Sequence, residues 1–411
     1  MNDKKIQTLA SACVSCVTKP CQIGCPLNND ITGFIKEIKN KDYEAAFNIL
    51  SVTSILMPLC GRICPHSKQC EGLCVKGVSY KNVDIGKLET FIGDMWLKKH
   101  WLISSPKKTF KKVAVIGGGP SGLTCAAFLR RNGIGVTIYE KHDYLGGLLM
   151  HGIPEFRLPK KIVKEVTDNI INLGIDVKYN QEFGKDITLK ELQKKYDAIF
   201  IGIGANVSNK LNIPGEELLN VYGANELLEY KPKINYKNKI FVILGGGNTA
   251  MDVSRTIKRK GARAIVIYHR TVSEIPAEKK EVKAAKKEGI EFIFSTNAKK
   301  IIGKNNKVNR IELITKEKSY QIPCNYVIKA IGSHPDLLVS KLAIHKNGEN
   351  IKIDNEGKTS NKKVFSGGDV ASTKSTVAWA ARAGRNAAYA IIKHLNEYWH
   401  QKWGLLQLIC I

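Results

Sequence analysis

The sequence predicts an α/β chain: two doubly wound parallel-sheet domains preceded by a mainly α-helical, cysteine-rich domain. Three observations support this. Apolar strands run into glycine-rich turns at 117–122 and 245–250, each followed by helical sequence. Eight of the eleven cysteines lie between residues 13 and 74. That N-terminal region also carries apolar positions at helical spacing, as in "ITGFIKEIKNKDYEAAFNIL", without the alternation of a half-buried strand.

The chain has 411 residues, 43% of them hydrophobic, which suffices for two or three cores. Met1 to Ala10 mixes Asp3, Lys4 and Lys5 with no apolar run behind them, so no secretory or lipidation signal is expected. The apolar tail "WGLLQLICI" is far short of the ~20 residues that span a bilayer, and a cytoplasmic protein with no membrane segment is expected. Lys and Arg number 64 against 37 Asp and Glu, a net charge of +27 that would suit nucleic acid, an acidic membrane or an acidic protein. The lysines are spread along the chain with no nucleic-acid motif beside them, so a solvated basic surface and no nucleic-acid partner are expected.

In a reducing compartment, cysteines in short repeated spacings read as metal ligands rather than disulfides. The first run is C-x2-C-x4-C-x3-C-P, from Cys13 through Cys16, Cys21 and Cys25 to Pro26. The second is C-x3-C-P-x4-C-x3-C, from Cys60 through Cys64, Pro65 and Cys70 to Cys74. Structural zinc favours two C-x2-C-like pairs, and only one such pair is present. Three close thiolates followed by a Cys-Pro that reaches to a second cluster is an iron–sulfur pattern, and soft sulfur stabilises iron in both oxidation states. The spacing therefore favours two interleaved [4Fe-4S] clusters. Cys125, Cys324 and Cys410 make no local pair, which argues against a disulfide reductase, and Cys125 reads as a small core residue.

In "KKVAVIGGGPSG" a strand meets Gly117-x-Gly119-x-x-Gly122, and the next strand, "VTIYE", ends in Glu140. Glycines permit the tight turn and close backbone approach, the helix N-terminus faces a pyrophosphate, and the acid takes ribose hydroxyls. The pattern returns in "KIFVILGGGNTAMD", with Gly245, Gly247 and Ala250 in the three positions. Here the second strand, "AIVIYHRT", ends in His269 and Arg270. An acid would repel a 2′-phosphate and arginine binds one, so this half favours NADP over NAD. Two Rossmann-like sites in one chain imply a flavin exchanging electrons with a nicotinamide, and they make a zinc-bearing nucleic-acid-binding protein a poor reading.

From about Cys13 to Ile392 the chain resembles the NADPH-dependent glutamate synthase small (beta) chain family. That family is related to the electron-input region of dihydropyrimidine dehydrogenase and to NADH-dependent ferredoxin:NADP oxidoreductases. The resemblance is carried by the two cysteine runs, "IGKLETF" at 85–91, "GGLLMHGIPEFRLPK" at 146–160, "GGGNTAMD" at 245–252, "AIGSHP" at 330–335, "VFSGGDV" at 364–370 and "STVAWAARAGRNAA" up to 388. It implies FAD at the first turn, with Glu140 on the adenosine ribose, Gly147 and Arg157 along the flavin, Gly368 and Asp369 over the ribityl-phosphate, and Thr376 and Val377 near the ring. It implies NADPH at the second, held around Gly245, Gly247, Asn248, Ala250, His269, Arg270 and Gly332, its nicotinamide stacked on the flavin. It puts Cys13, Cys16, Cys21 and Cys74 on one cluster. Cys25, Cys64 and Cys70 take the other, with Glu89 where the family has a carboxylate or amide ligand; Cys60, close in sequence, is the alternative. Relatives often carry two arginines where this chain has His269-Arg270, so one phosphate contact is weakened and NADH use stays open.

The expected organisation is a helical domain with two [4Fe-4S] clusters at 1–105, ended by the polar break "SSPKK". An FAD-binding domain at 106–231 and 334–411 and an NADP-binding domain at 232–333 follow. Electrons would pass from NADPH through FAD and the clusters to a partner protein. That partner is a glutamate synthase large subunit or, alternatively, ferredoxin or a dihydropyrimidine dehydrogenase subunit. Hydride transfer needs positioning rather than a general base, and no catalytic side chain is assigned.

Overall fold

The structure is a computed structural model that describes residues 3–78, 81–230, 232–336, 342–372 and 374–409, with backbone alone beyond 397. Cys410, the expected boundary at 231 and the outermost terminal residues lie outside the described residues. The chain divides into two compact units: 1–150 with 157–204 and 337–411, and 151–156 with 205–336.

The first unit opens with six helices: α1 (Asp3–Ser11), α2 (Pro20–Gly24), α3 (Ile31–Lys39), α4 (Tyr43–Ser51), α5 (Met57–Ile63) and α6 (Ile85–Lys99). Their starts are written in the sequence. Asp30, Asp42 and Asp84 cap α3, α4 and α6 by accepting from the backbone amides of Gly33, Ala45 and Lys87. Ile31, Phe34, Ile35 and Ile38 recur at helical spacing and are buried, as are Phe47 and Trp96, whose rings stack 5.7 Å apart.

The chain then builds β1 (Lys112–Ile116), α7 (Pro120–Arg130), β2 (Gly135–Tyr139), α8 (Leu148–His151), α9 (Lys160–Ile171), β3 (Asp176–Lys178), α10 (Leu189–Lys195) and β4 (Ala198–Ile201). After the second unit it returns with the hairpin β15 (Lys346–Asn347) and β16 (Asn350–Ile351), then β17 (Val364–Ser366) and α14 (Val377–Ile409). The sheet order is β17-β4-β1-β2-β3 and every pairing is parallel, with Ile116 opposite Tyr139 and Ile201. Because β1 sits between β2 and β4, the turn after it lies at the topological switch point, where doubly wound sheets bind ligands.

The second unit repeats the plan with β5 (Val207–Ser208), β6 (Val221–Gly223), α11 (Ala224–Tyr230), β7 (Ile240–Leu244), α12 (Asn248–Arg259), β8 (Arg263–Ile267), α13 (Lys279–Lys287) and β9 (Glu291–Ile293). An antiparallel meander of β10 (Asn297–Lys304), β11 (Lys307–Ile314) and β12 (Ser319–Pro323) precedes β13 (Tyr326–Lys329) and β14 (Ser333–His334). The parallel order is β6-β13-β7-β8-β9, again with the glycine turn after the central strand.

The units are drawn differently from the expected boundaries. The second begins at Ala205, because β6 pairs with β13 and β5 with β14, and it also takes residues 151–156. The N-terminal helices join the first sheet in one unit. Side chains of the sheet region reach into them, as where Arg131 Nη1 donates to the Ser51 carbonyl at 2.6 Å.

Candidate functional site

Gly117 follows β1 at φ +95, and a Cβ there would lie 2.6 Å from the Gly202 carbonyl oxygen after β4. A Cβ at Gly122 would lie 1.9 Å from the Gly117 carbonyl, whereas one at Gly119, the N-cap of α7, would meet nothing within 4 Å. The first and third glycines thus close the turn, and the second faces open space at a helix N-terminus, as a pyrophosphate site requires. Glu140 directly follows β2 and is buried; its Oε2 accepts from the Gly118 amide at 2.7 Å and its Oε1 from the His142 amide at 3.0 Å. Gly147 lies over the same turn, its Cβ position 3.1 Å from Gly119 Cα.

Gly368, at φ +81 after β17, closes from the other side, its Cβ position 2.9 Å from Ser121 Cβ. Ser121 Oγ is buried here with no hydrogen-bond partner. Sequence reasoning missed it, although it sits in the fingerprint between Gly119 and Gly122. An orphaned hydroxyl in the first turn of α7 fits a bound phosphate. Burial raises the neighbouring Asp369 carboxyl to about 6, and a ligand hydroxyl donating to it would relieve that cost. Thr376 caps α14, its Oγ1 accepting from the Trp379 amide at 3.3 Å, and Val377 is the first helical residue. Arg157 is half-buried in the turn before α9. The residues present fit FAD.

The second turn carries Ala250 at its third position, where it is fully buried. Gly245 approaches Ala330, its Cβ position 2.2 Å from that carbonyl, and Gly247 caps α12 facing nothing within 4 Å. Asn248 Oδ1 accepts from the Glu278 amide at 2.9 Å, tying the start of α12 to the loop before α13. Gly332 lies at φ +99 beside Asn209. Tyr268 is buried against Gly246, while His269 and Arg270 are exposed at the end of β8. Glu274, not singled out from the sequence, accepts from Thr271 N at 3.1 Å and Thr271 Oγ1 at 2.6 Å, bonds that lower its carboxyl with smaller contributions from Arg270 and His269.

Cys13, Cys16, Cys21 and Cys74 line one small recess, with Ile31, Ile35, Val83 and Ile85 among its apolar walls. Burial, then the neighbouring Cys16, pushes the Cys21 thiol up to about 11. Cys25, Cys60, Cys64, Cys70 and Glu89 form a second, more buried group. Burial and then Glu89 push Cys25 up to about 12. Burial, then Glu89, also raises Cys70, while a hydrogen bond with Cys64, followed by burial, raises Cys60. Burial, then Glu71, lifts the Glu89 carboxyl to about 8, and Asn29 Nδ2 donates to its Oε1 at a long 3.4 Å. Cys25, Cys60, Cys70 and Glu89 are held away from their charged forms by burial and by neighbouring groups, the condition that cationic iron reverses. Both donor sets fit iron–sulfur chemistry, and both Glu89 and Cys60 stand at the second.

Among the described residues no helix is long and apolar enough to cross a membrane. Fold and site together define a pyridine-nucleotide flavoprotein with an attached iron–sulfur domain. Residues 111–387 match the pyridine nucleotide-disulphide oxidoreductase family, and residues 1–101 match dihydropyrimidine dehydrogenase domain II, 4Fe-4S cluster. The chain belongs to the glutamate synthase small-chain family of these oxidoreductases. It is 33% identical to the glutamate synthase [NADPH] small chain of Escherichia coli (strain K12), across 94% of this chain and 91% of that one. It is 32% identical to the NAD-dependent dihydropyrimidine dehydrogenase subunit PreT of Escherichia coli O157:H7, across 94% and 93%. FprA from Mycobacterium tuberculosis shares the fold, with a TM-score of 0.64 at 17% identity over 71% of this chain and 86% of that one. The chain is an oxidoreductase that moves electrons between NADP(H), FAD and iron–sulfur centres.

Proposed function

We propose that this chain is the electron-input subunit of an NADPH-dependent glutamate synthase, carrying two [4Fe-4S] clusters and serving a separate large subunit. Bound FAD supplies the conversion of a two-electron hydride into single electrons, and the clusters supply one-electron carriage. The protein's own residues do the positioning. The amides at the starts of α7 and α12 would face the two pyrophosphates, Glu140 would take the FAD ribose, and Arg270 with His269 the 2′-phosphate of NADPH. Cys13, Cys16, Cys21 and Cys74 would hold one cluster, and Cys25, Cys64, Cys70 and Glu89 the other.

The observation that carries the electron path is at the start of α14. Gln69, beside Cys70, donates through Nε2 to Oγ1 of Thr376 at 3.5 Å, so the second cysteine group adjoins the residue assigned to the flavin ring. Exit through the first group is supported by exposed apolar side chains near its recess: Val17 is 96% exposed, Val78 88% and Ile23 77%. The net charge of +27 favours an acidic partner surface and keeps ferredoxin as the second reading.

The test is an anaerobic titration with NADPH, and in parallel NADH, following flavin and iron–sulfur absorbance. Glutamate synthase large subunit or ferredoxin is then added. Bleaching of both chromophores by NADPH, and reoxidation by the large subunit, is expected. Flavin bleaching with zinc in place of iron would overturn the path, and reoxidation by ferredoxin alone would replace the partner.

A further inference from the structure

Helix α14 lies in the FAD-binding part of the chain, yet its side chains grip the loops behind the second iron-ligand set. Arg385 Nη1 donates to the carbonyl oxygens of Leu27 at 2.9 Å and Thr53 at 2.8 Å. Arg382 Nη1 donates to that of Pro26 at 3.2 Å. Pro26 and Leu27 directly follow Cys25. The connection continues through Thr53, whose hydroxyl donates to Asn29 Oδ1 at 2.6 Å, while Asn29 Nδ2 donates to Glu89 Oε1. One half-buried guanidinium therefore holds the loop behind Cys25 and, through two side chains, the carboxylate that faces the cysteines.

We propose that Arg385, assisted by Arg382, is the positioning residue that sets the reduction potential of the cluster held by Cys25, Cys64 and Cys70. This rests on the assignment of those cysteines as ligands made above. The step concerned adds one electron, drawn from NADPH through the flavin, with no bond made or broken and no proton taken up. That electron makes the centre one charge more negative. A guanidinium fixed nearby in a medium of low dielectric favours the more negative state, so it raises the potential. Hydrogen bonding of both guanidinia to carbonyls fixes where that charge stands, as outer-shell partners fix metal ligands.

The experiment is an EPR-monitored potentiometric titration of the holoprotein as wild type and as Arg385→Gln, Arg385→Lys and Arg382→Gln. Arg385→Gln is expected to lower the potential of one cluster by tenfold or more in its reduction equilibrium, about 59 mV per tenfold for one electron. The other cluster should be unmoved. Arg385→Lys, which keeps the charge, should restore most of the difference, and Arg382→Gln should give a smaller shift in the same direction. Unmoved potentials in both Gln variants, or equal shifts in Arg385→Lys and Arg385→Gln, would overturn the proposal. Arg382 is exposed, so its variant decides the matter if Arg385→Gln fails to retain iron. Cys25→Ser separates the two levels. It should abolish the signal of the cluster that shifts, and retention of both signals would sink the ligand assignment itself.

Discussion

Replacing Gly384 with alanine should loosen FAD from a point about two turns along α14, away from the residues assigned to the flavin ring. α14 crosses the start of α7 at this glycine, where a Cβ would lie 2.1 Å from the Ser121 carbonyl oxygen and 3.1 Å from the Cys125 amide nitrogen. A carbon rests against a carbonyl oxygen at about 3.3 Å or more, so the helices must part by roughly 1 Å or α7 must distort its first turn. The obstacle is backbone, and Leu123 and Cys125 beside it are completely buried, so no flexible side chain can give way. Overpacking of this kind costs about 1–3 kcal/mol. In a unit of this size that lowers the melting temperature by roughly 2–10 °C. The displacement falls on Ser121, whose buried hydroxyl faces the phosphate position, and on Gly368, packed against Ser121 Cβ. A loss of about 1.4 kcal/mol at that contact weakens FAD tenfold. The assay is flavin content per chain after desalting, with melting curves in the presence and absence of added FAD, which should partly restore stability by mass action. Gly119→Ala provides the contrast. Its Cβ meets nothing in the protein, so the apoprotein should melt as wild type while FAD is excluded. Full flavin content and an unchanged melting temperature in Gly384→Ala would refute the described crossing of α14 on α7.

Four further outcomes are expected. Arg270→Ala should raise KM for NADPH about 10- to 100-fold, the worth of a charge-assisted hydrogen bond, and leave NADH unaffected in parallel steady-state assays; an equal effect on both would remove Arg270 from the phosphate site. Cys74→Ser should lose about half the iron and one of two EPR signals, since its thiol shares a recess with Cys13, Cys16 and Cys21. Glu89→Gln should alter the EPR spectrum of the second cluster while Cys60→Ala leaves it intact, and the reverse pattern would make Cys60 the ligand. Glu288 in the second unit is held down to about 2 by hydrogen bonds from Arg259 and then Arg255, against the opposing effect of burial. A depressed carboxylate stabilises the fold fully above its unfolded value of about 4.3 and loses that contribution as pH falls towards 2. Discounted for its partial exposure, Glu288→Gln should cost about 1–2 kcal/mol at pH 7, roughly half of that at pH 3 and little below pH 2, measured by thermal melting.

Both dinucleotide turns, the acid after β2, the cations after β8 and the cysteine runs were legible from sequence because each is a local pattern. Turn geometry at Gly117 and Gly245, and helix starts at Gly119 and Gly247, are decided by a few consecutive residues. The limits of the second unit were not legible. β5 and β6 lie before the expected boundary, and their membership depends on pairing with β14 and β13, more than a hundred residues later. Ser121 was passed over because a serine after a glycine turn is common, and only burial without a partner marks it. Cys60 and Glu89 could not be ranked by spacing, since α5 and α6 bring both to the same buried group.

By itself the sequence determined the class of chemistry. Thiols at fixed short spacings and glycines between strand and helix satisfy requirements that act within a dozen residues. Only the tertiary structure decided how those parts are joined. Arg385 meets Leu27 across 358 positions of sequence, and Gly384 beside it meets Ser121 at the mouth of the FAD turn. Such contacts arise from the packing of whole helices, which depends on every buried side chain along them and leaves no local pattern to read.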